Sequence, residues 1–238
     1  MIVVAANLHG NFVALKSMLE SVEDIKEDLK KEGREIKEIF ILGVFGYMPF
    51  PRETYEFLSQ SDIRCVRGKF DHLIAKWPDM DEEEKRELPK LDRLVVEWNR
   101  SKLESEGRRW IRFEIPSFLL RKYGDNEVFF VFGDPFDPIG GEVLPNMPTS
   151  YYEKFLAPFK YEIMVVGSRK PFIAETVHGK IVGVGVCGLK ESPTFALIDT
   201  RNLDVSFYDF DFDAGEVERR IEEENLPKEL VDILHHGI

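Results

Sequence analysis

Imidazole, carboxylate and cationic side chains recur in a few short loops of this chain. His9 lies in Asn7-Leu8-His9-Gly10-Asn11, and Asp71 and His72 close the stretch Cys65-Val66-Arg67-Gly68-Lys69-Phe70-Asp71-His72. Asp134 and Asp137 lie just beyond Phe130-Val131-Phe132-Gly133. Imidazole and carboxylate together can hold a divalent cation such as Mn or Zn, which makes His9, Asp71 and Asp134 a candidate one-metal set, with His72 and Asp137 nearby in sequence. Lys69, Arg169 and Lys170 offer different chemistry, because an Arg fork clamps phosphate through two hydrogen bonds and Lys adds a point charge. Asn7 and His9 can touch the same ligand or serve only to stabilise a tight turn.

Either site requires the segments before these loops to be neighbouring strands. Residues 2–6 form an apolar run, followed by Leu15, Met18, Leu19, Val22, Ile25 and Leu29 at helical spacing, with Asn11 as N-cap and Gly33 as stop. Residues 39–42 and 63–66 are two more buried runs, ending at Gly43 and Gly68 and separated by a helix after Pro51. Strands alternating with helices pair in parallel, and ligands gather past their carboxyl ends. Residues 81–102 read as a helix interrupted at Pro89, solvated over 81–87, with Leu91, Leu94, Val95 and Trp98 capping the sheet. From Phe118 onward the pattern is one of strands: 118–120, 128–132, 163–166, 172–177, 181–186, 195–199 and 205–212. His178-Gly179 forms a hairpin turn between two of them, and helices over 214–224 and 227–235 close the chain. The expected whole is an α/β sandwich of two sheets with helices outside, a single domain over residues 1–238.

Taken in chain order, the loops resemble the blocks of the calcineurin-like metallophosphoesterase superfamily, in its small bacterial and archaeal phosphodiesterase branch. The family pattern is Asp-x-His-Gly-Asn, Gly-Asp, Gly-Asn-His-Asp, Val-His-Gly and Gly-His-x-His. Its counterparts here are Asn7 to Asn11, Leu42-Gly43-Val44, Gly68-Lys69-Phe70-Asp71, Val131-Phe132-Gly133 and Gly167-Ser168-Arg169-Lys170. Gly46-Tyr47-Met48-Pro49-Phe50-Pro51 resembles the family's Gly-Tyr-x-Pro-x-Pro loop. The resemblance implies a four-layer α/β/β/α sandwich and, in active members, two cations roughly 3.5–4 Å apart that activate water and neutralise phosphate.

Matched residue by residue, only His9 keeps a ligand's identity. The first Asp becomes Asn7, the bridging Asp is Val44 or deleted, and the third-block Asn becomes Lys69. The catalytic His becomes Phe70, with Asp71 retained beside it, and the later histidines become Phe132, Ser168 and Lys170. A lysine in a ligand's place opposes metal binding by its own charge. The resemblance therefore implies a degenerate active site: a non-catalytic interaction or phosphate-binding module, a pseudoenzyme without a cofactor, in which Asn7, His9, Lys69, Arg169 and Lys170 contact the ligand. The alternative is a phosphoesterase rebuilt around one metal at His9, Asp71 and Asp134. In the plainer structural reading the cations pair with Asp71 and Asp134, and Phe70 and Phe132 fill the imidazole space as a collapsed site.

Composition narrows the partners. A net charge of -12 disfavours long-range attraction to nucleic acid or anionic membranes. That leaves a phosphate-containing small molecule or a protein, as in the retromer scaffold subunit, where this fold serves assembly. Cys65 and Cys187 give no disulfide framework, no apolar run approaches twenty residues, and no basic leader precedes Ile2, so a cytoplasmic location is expected. Abundant Lys and Glu point to a thermophilic source.

Overall fold

Side-chain alternation along β1 (Ile2–Ala6) sets how the layers stack. All five residues are buried, Val3 and Ala5 on one face and Ile2, Val4 and Ala6 on the other, as the two-residue strand period requires. The computed structural model describes residues 1–237. β2 (Glu38–Leu42) and β3 (Arg64–Val66) continue the sheet in parallel on one side of β1. On the other side run two antiparallel strands, Thr194–Ile198 and Val205–Asp209, which are β9 and β10, giving the order β10-β9-β1-β2-β3.

A second five-stranded sheet, ordered β4-β5-β6-β8-β7, is built from β4 (Phe118–Tyr123), β5 (Asn126–Val131), β6 (Ile163–Gly167), β7 (Phe172–Thr176) and β8 (Gly179–Val184). The sheets pack through Ile2, Val4, Phe40 and Leu42 against Val128, Phe130, Val165 and Val182. Phe40 and Phe130 stack at 4.0 Å between centroids, a contact that fixes the sheets face to face. Helices α1 (Phe12–Lys31), α2 (Pro51–Leu58), α3 (Lys69–Lys76), α8 (Ala214–Glu223) and α9 (Glu229–His236) contribute to the core outside the first sheet. α7 (Thr149–Leu156) covers the second through Tyr152, Phe155 and Leu156. The result is the expected four-layer α/β/β/α sandwich.

Several local expectations shift. Pro89 does break the predicted helix, into α4 (Glu82–Glu87), which buries nothing, and α5 (Lys90–Lys102). The buried stripe of α5 is Asp92, Val95, Val96 and Asn99, whereas Leu91, Leu94 and Trp98 are only partly buried. α5 packs on α3, α2 and α6 (Glu104–Phe113) instead of capping the sheet. α6 itself was not expected, because Gly107 weakens it by propensity; the helix uses that glycine for close packing against Leu103 and Tyr55. β10 ends at Asp209, beyond which Phe210 and Phe212 join the core outside the first sheet. The hairpin turn is Val177-His178, one residue earlier than predicted.

Candidate functional site

The loops singled out by their side chains do converge. Asn7, His9, Lys69, Arg169 and Lys170 all line one cavity of about 820 Å³ at the carboxyl ends of β1, β2, β3 and β6. The turn after β1 is held by its backbone: Asn7 and His9 have φ of 54° and 57°, and the N–H groups of Asn7, Leu8 and Gly10 donate to Leu42, Gly43 and Val44. The Asn7 side chain donates to the carbonyl of Ser168 at 3.1 Å, tying β1 to the loop that carries Arg169 and Lys170. Ser168 donates in turn to the carbonyl of Lys170 at 2.8 Å, and both cations are exposed. Asn11 caps α1 through Ala14 and donates to Gly188 at 2.9 Å, so a buried amide fastens this turn to the opposite wall.

His9 is 7% exposed, and its Nδ1 has no hydrogen-bond partner among the described residues. A methyl group on Gly46 would lie 2.4 Å from that nitrogen, so glycine there is what admits the ring. An unpartnered acceptor is better tolerated than an unpartnered N–H, which places the proton of the neutral ring on Nε2. Burial pushes the imidazole down from 6.5 to about 4. Between those values the unfolded chain binds more protons than the folded one, so His9 costs stability as pH falls through that window. Urea denaturation is therefore expected to show a loss about 2 kcal/mol larger between pH 7 and pH 5 for the native protein than for His9→Gln. Equal losses would contradict a buried neutral imidazole.

Asp71 serves the backbone. Its carboxylate accepts N–H bonds from Val44 at 2.9 Å, Phe45 at 2.8 Å and Gly68 at 2.7 Å, and burial leaves its pKa above the usual carboxylate range despite those bonds. Val44, at the bridging-Asp position, thus contributes an N–H in place of a carboxylate. Asp134 is occupied in its own turn, accepting from the N–H groups of Phe136 and Asp137, and neither it nor His72 nor Asp137 lines the cavity. Among the described residues, no group of three His, Cys, Asp or Glu side chains is arranged to hold a metal ion.

The Phe132 ring fills the floor of the site. A methyl on Gly43 would lie 2.6 Å from it, one on Gly68 3.0 Å and one on Gly167 3.2 Å, so the ring rests on three bare glycines at strand ends. Phe70 is buried and meets Tyr47 edge-to-face at 4.7 Å. These residues do not fit a two-metal centre, since an aromatic ring occupies the glycine floor and the retained carboxylate is spent on three N–H groups. The expectation of a collapsed site is corrected: the floor is filled, but the cavity above it stays open, because the glycines let the ring lie low.

Lys69 pairs with Asp92 and not with Asp71, whose carboxylate faces the N–H groups of Val44, Phe45 and Gly68. Its ammonium lies 2.9 Å from Asp92 of α5, which also accepts from the Tyr47 hydroxyl at 2.7 Å. Asp92 is nearly buried, with 6% of its side chain exposed, whereas Lys69 is 52% exposed; an ammonium has three donors and Asp92 takes one. Asn99, two turns on, donates to the Gly46 carbonyl at 2.9 Å. Asp92 and Asn99 were missed by sequence reasoning, although polar residues seven apart interrupting the apolar face of α5 were the available signal.

No protein-family model and no curated protein matches the chain. Among solved structures it is similar to the hypothetical protein PH1004 from Pyrococcus horikoshii OT3, with 38% identity, 100% of this chain and 99% of that one covered, and a TM-score of 0.88. It is also similar to a metallophosphoesterase from Sphaerobacter thermophilus, at 19% identity, with 100% and 98% coverage and a TM-score of 0.76.

Proposed function

We propose that this chain, which belongs to one family with PH1004 and is built on the calcineurin-like metallophosphoesterase fold, is a non-catalytic module that binds a phosphate group without metal. The observation that carries this reading is the shared cavity, in which Lys69, Arg169 and Lys170 stand around a floor filled by Phe132. Two-metal hydrolysis spends metal charge on the phosphate; here guanidinium and ammonium groups supply charge to the same kind of anion. Unlike a metal ion they bring no bound hydroxide, and on this reading a bound phosphoester is held intact. His9, neutral at physiological pH, adds a hydrogen-bond donor and no charge. A one-metal phosphoesterase around His9, Asp71 and Asp134 has less support, because both carboxylates are engaged by backbone N–H groups.

Calorimetric titration of EDTA-treated protein with inorganic phosphate tests the reading. Binding is expected in the native protein and at least tenfold weaker after combined Lys69→Ala, Arg169→Ala and Lys170→Ala, since charge-assisted hydrogen bonds contribute about 1.5–3 kcal/mol each. Absence of binding, or binding unchanged in the triple variant, would refute it.

A further inference from the structure

We propose that the ligand's phosphate carries a flat aromatic group, as in a nucleoside monophosphate; the inference rests on the phosphate-binding reading of the same cavity. At about 820 Å³ the cavity falls in the range of roughly 300–1,000 Å³ that takes whole organic ligands, far larger than a phosphate ion requires. Its floor is aromatic. Phe132 is partly exposed there, locked from below by Gly43, Gly68 and Gly167, with the Tyr47 and Phe70 pair also lining the cavity. Gly140 and Gly141, from the loop after β5, line the same cavity, and glycine there is set by the turn itself, since a methyl on either would meet Asp137 or Asp134. Charge limits the anion. Glu142 and Glu191 line the cavity as well, and Asp92 already holds Lys69, so three carboxylates stand against the three cations and the site suits a single phosphate group rather than a polyphosphate. A ring stacked on a fixed aromatic floor gains affinity beyond its buried area, from about twofold to about tenfold for a single contact.

The test is calorimetric titration of EDTA-treated protein with inorganic phosphate, glycerol 3-phosphate and AMP, together with proton NMR of AMP in the protein's presence. AMP is expected to bind at least tenfold more tightly than glycerol 3-phosphate, Phe132→Leu to remove most of that difference, and the base protons of bound AMP to shift upfield from the ring current of Phe132. Equal affinities for the two esters, or base protons unshifted on binding, would overturn the aromatic assignment while leaving phosphate binding intact. Failure of all three probes to bind would instead overturn the phosphate reading on which it rests.

Discussion

Asp71→Ala is expected to lower the free energy of unfolding by about 3–5 kcal/mol, measured by urea denaturation in EDTA. The side chain is fully buried, and its oxygens accept from the N–H groups of Val44, Phe45 and Gly68. Truncation strands three buried donors, each at a cost of about 1–3 kcal/mol, partly recovered if water enters the gap. Asp71→Asn should fall between, since an amide offers one acceptor and turns an N–H toward another. A metal ligand would behave differently: without metal its carboxylate is an unbalanced charge, and removing it would leave stability unchanged or raise it. A neutral or stabilising Asp71→Ala in EDTA would therefore contradict the structural role assigned here.

Gly43→Ala should cost about 2–4 kcal/mol, with about 1–2 kcal/mol from the left-handed backbone and the rest from overpacking. Gly43 has φ of 79°, and the three atoms nearest to an added methyl belong to the Phe132 ring, the closest at 2.6 Å. The two contributions separate in a double-mutant cycle. In a Phe132→Ala background the methyl has room, so the cost of Gly43→Ala should fall to the backbone part, leaving a coupling of about 1–2 kcal/mol. Additive effects would mean that the ring does not rest on Gly43.

Much of this fold was legible because its signals are local. β1 ends where Asn7 begins, Asn11 caps α1, and Pro89 separates α4 from α5, each from residue types whose backbone preferences suffice. That the loops of His9, Lys69, Arg169 and Lys170 share one end of the sheets followed from placing them at the carboxyl ends of parallel strands, whereas the sequence left open whether the cations gather in a pocket or turn to solvent. What was illegible depends on phase and volume. The stripe of apolar residues on α5 located a buried face but not its centre, so Asp92 and its hold on Lys69 stayed hidden. Phe132 was recognisable as an apolar replacement, yet whether it closes the site or only paves it depends on Gly43, Gly68 and Gly167 meeting beneath one ring. Three glycines spread over more than a hundred residues carry no periodic signal.

An anomalous difference map tests the central claim most directly, from crystals grown in EDTA and soaked in tungstate, a heavy analogue of phosphate. The predicted result is one peak in the cavity above Phe132, its oxygens within hydrogen-bond reach, about 3 Å, of Lys69, Arg169 and Lys170. A map with no peak among those three side chains, in a crystal whose cavity is open to solvent, would contradict a phosphate site built from cations.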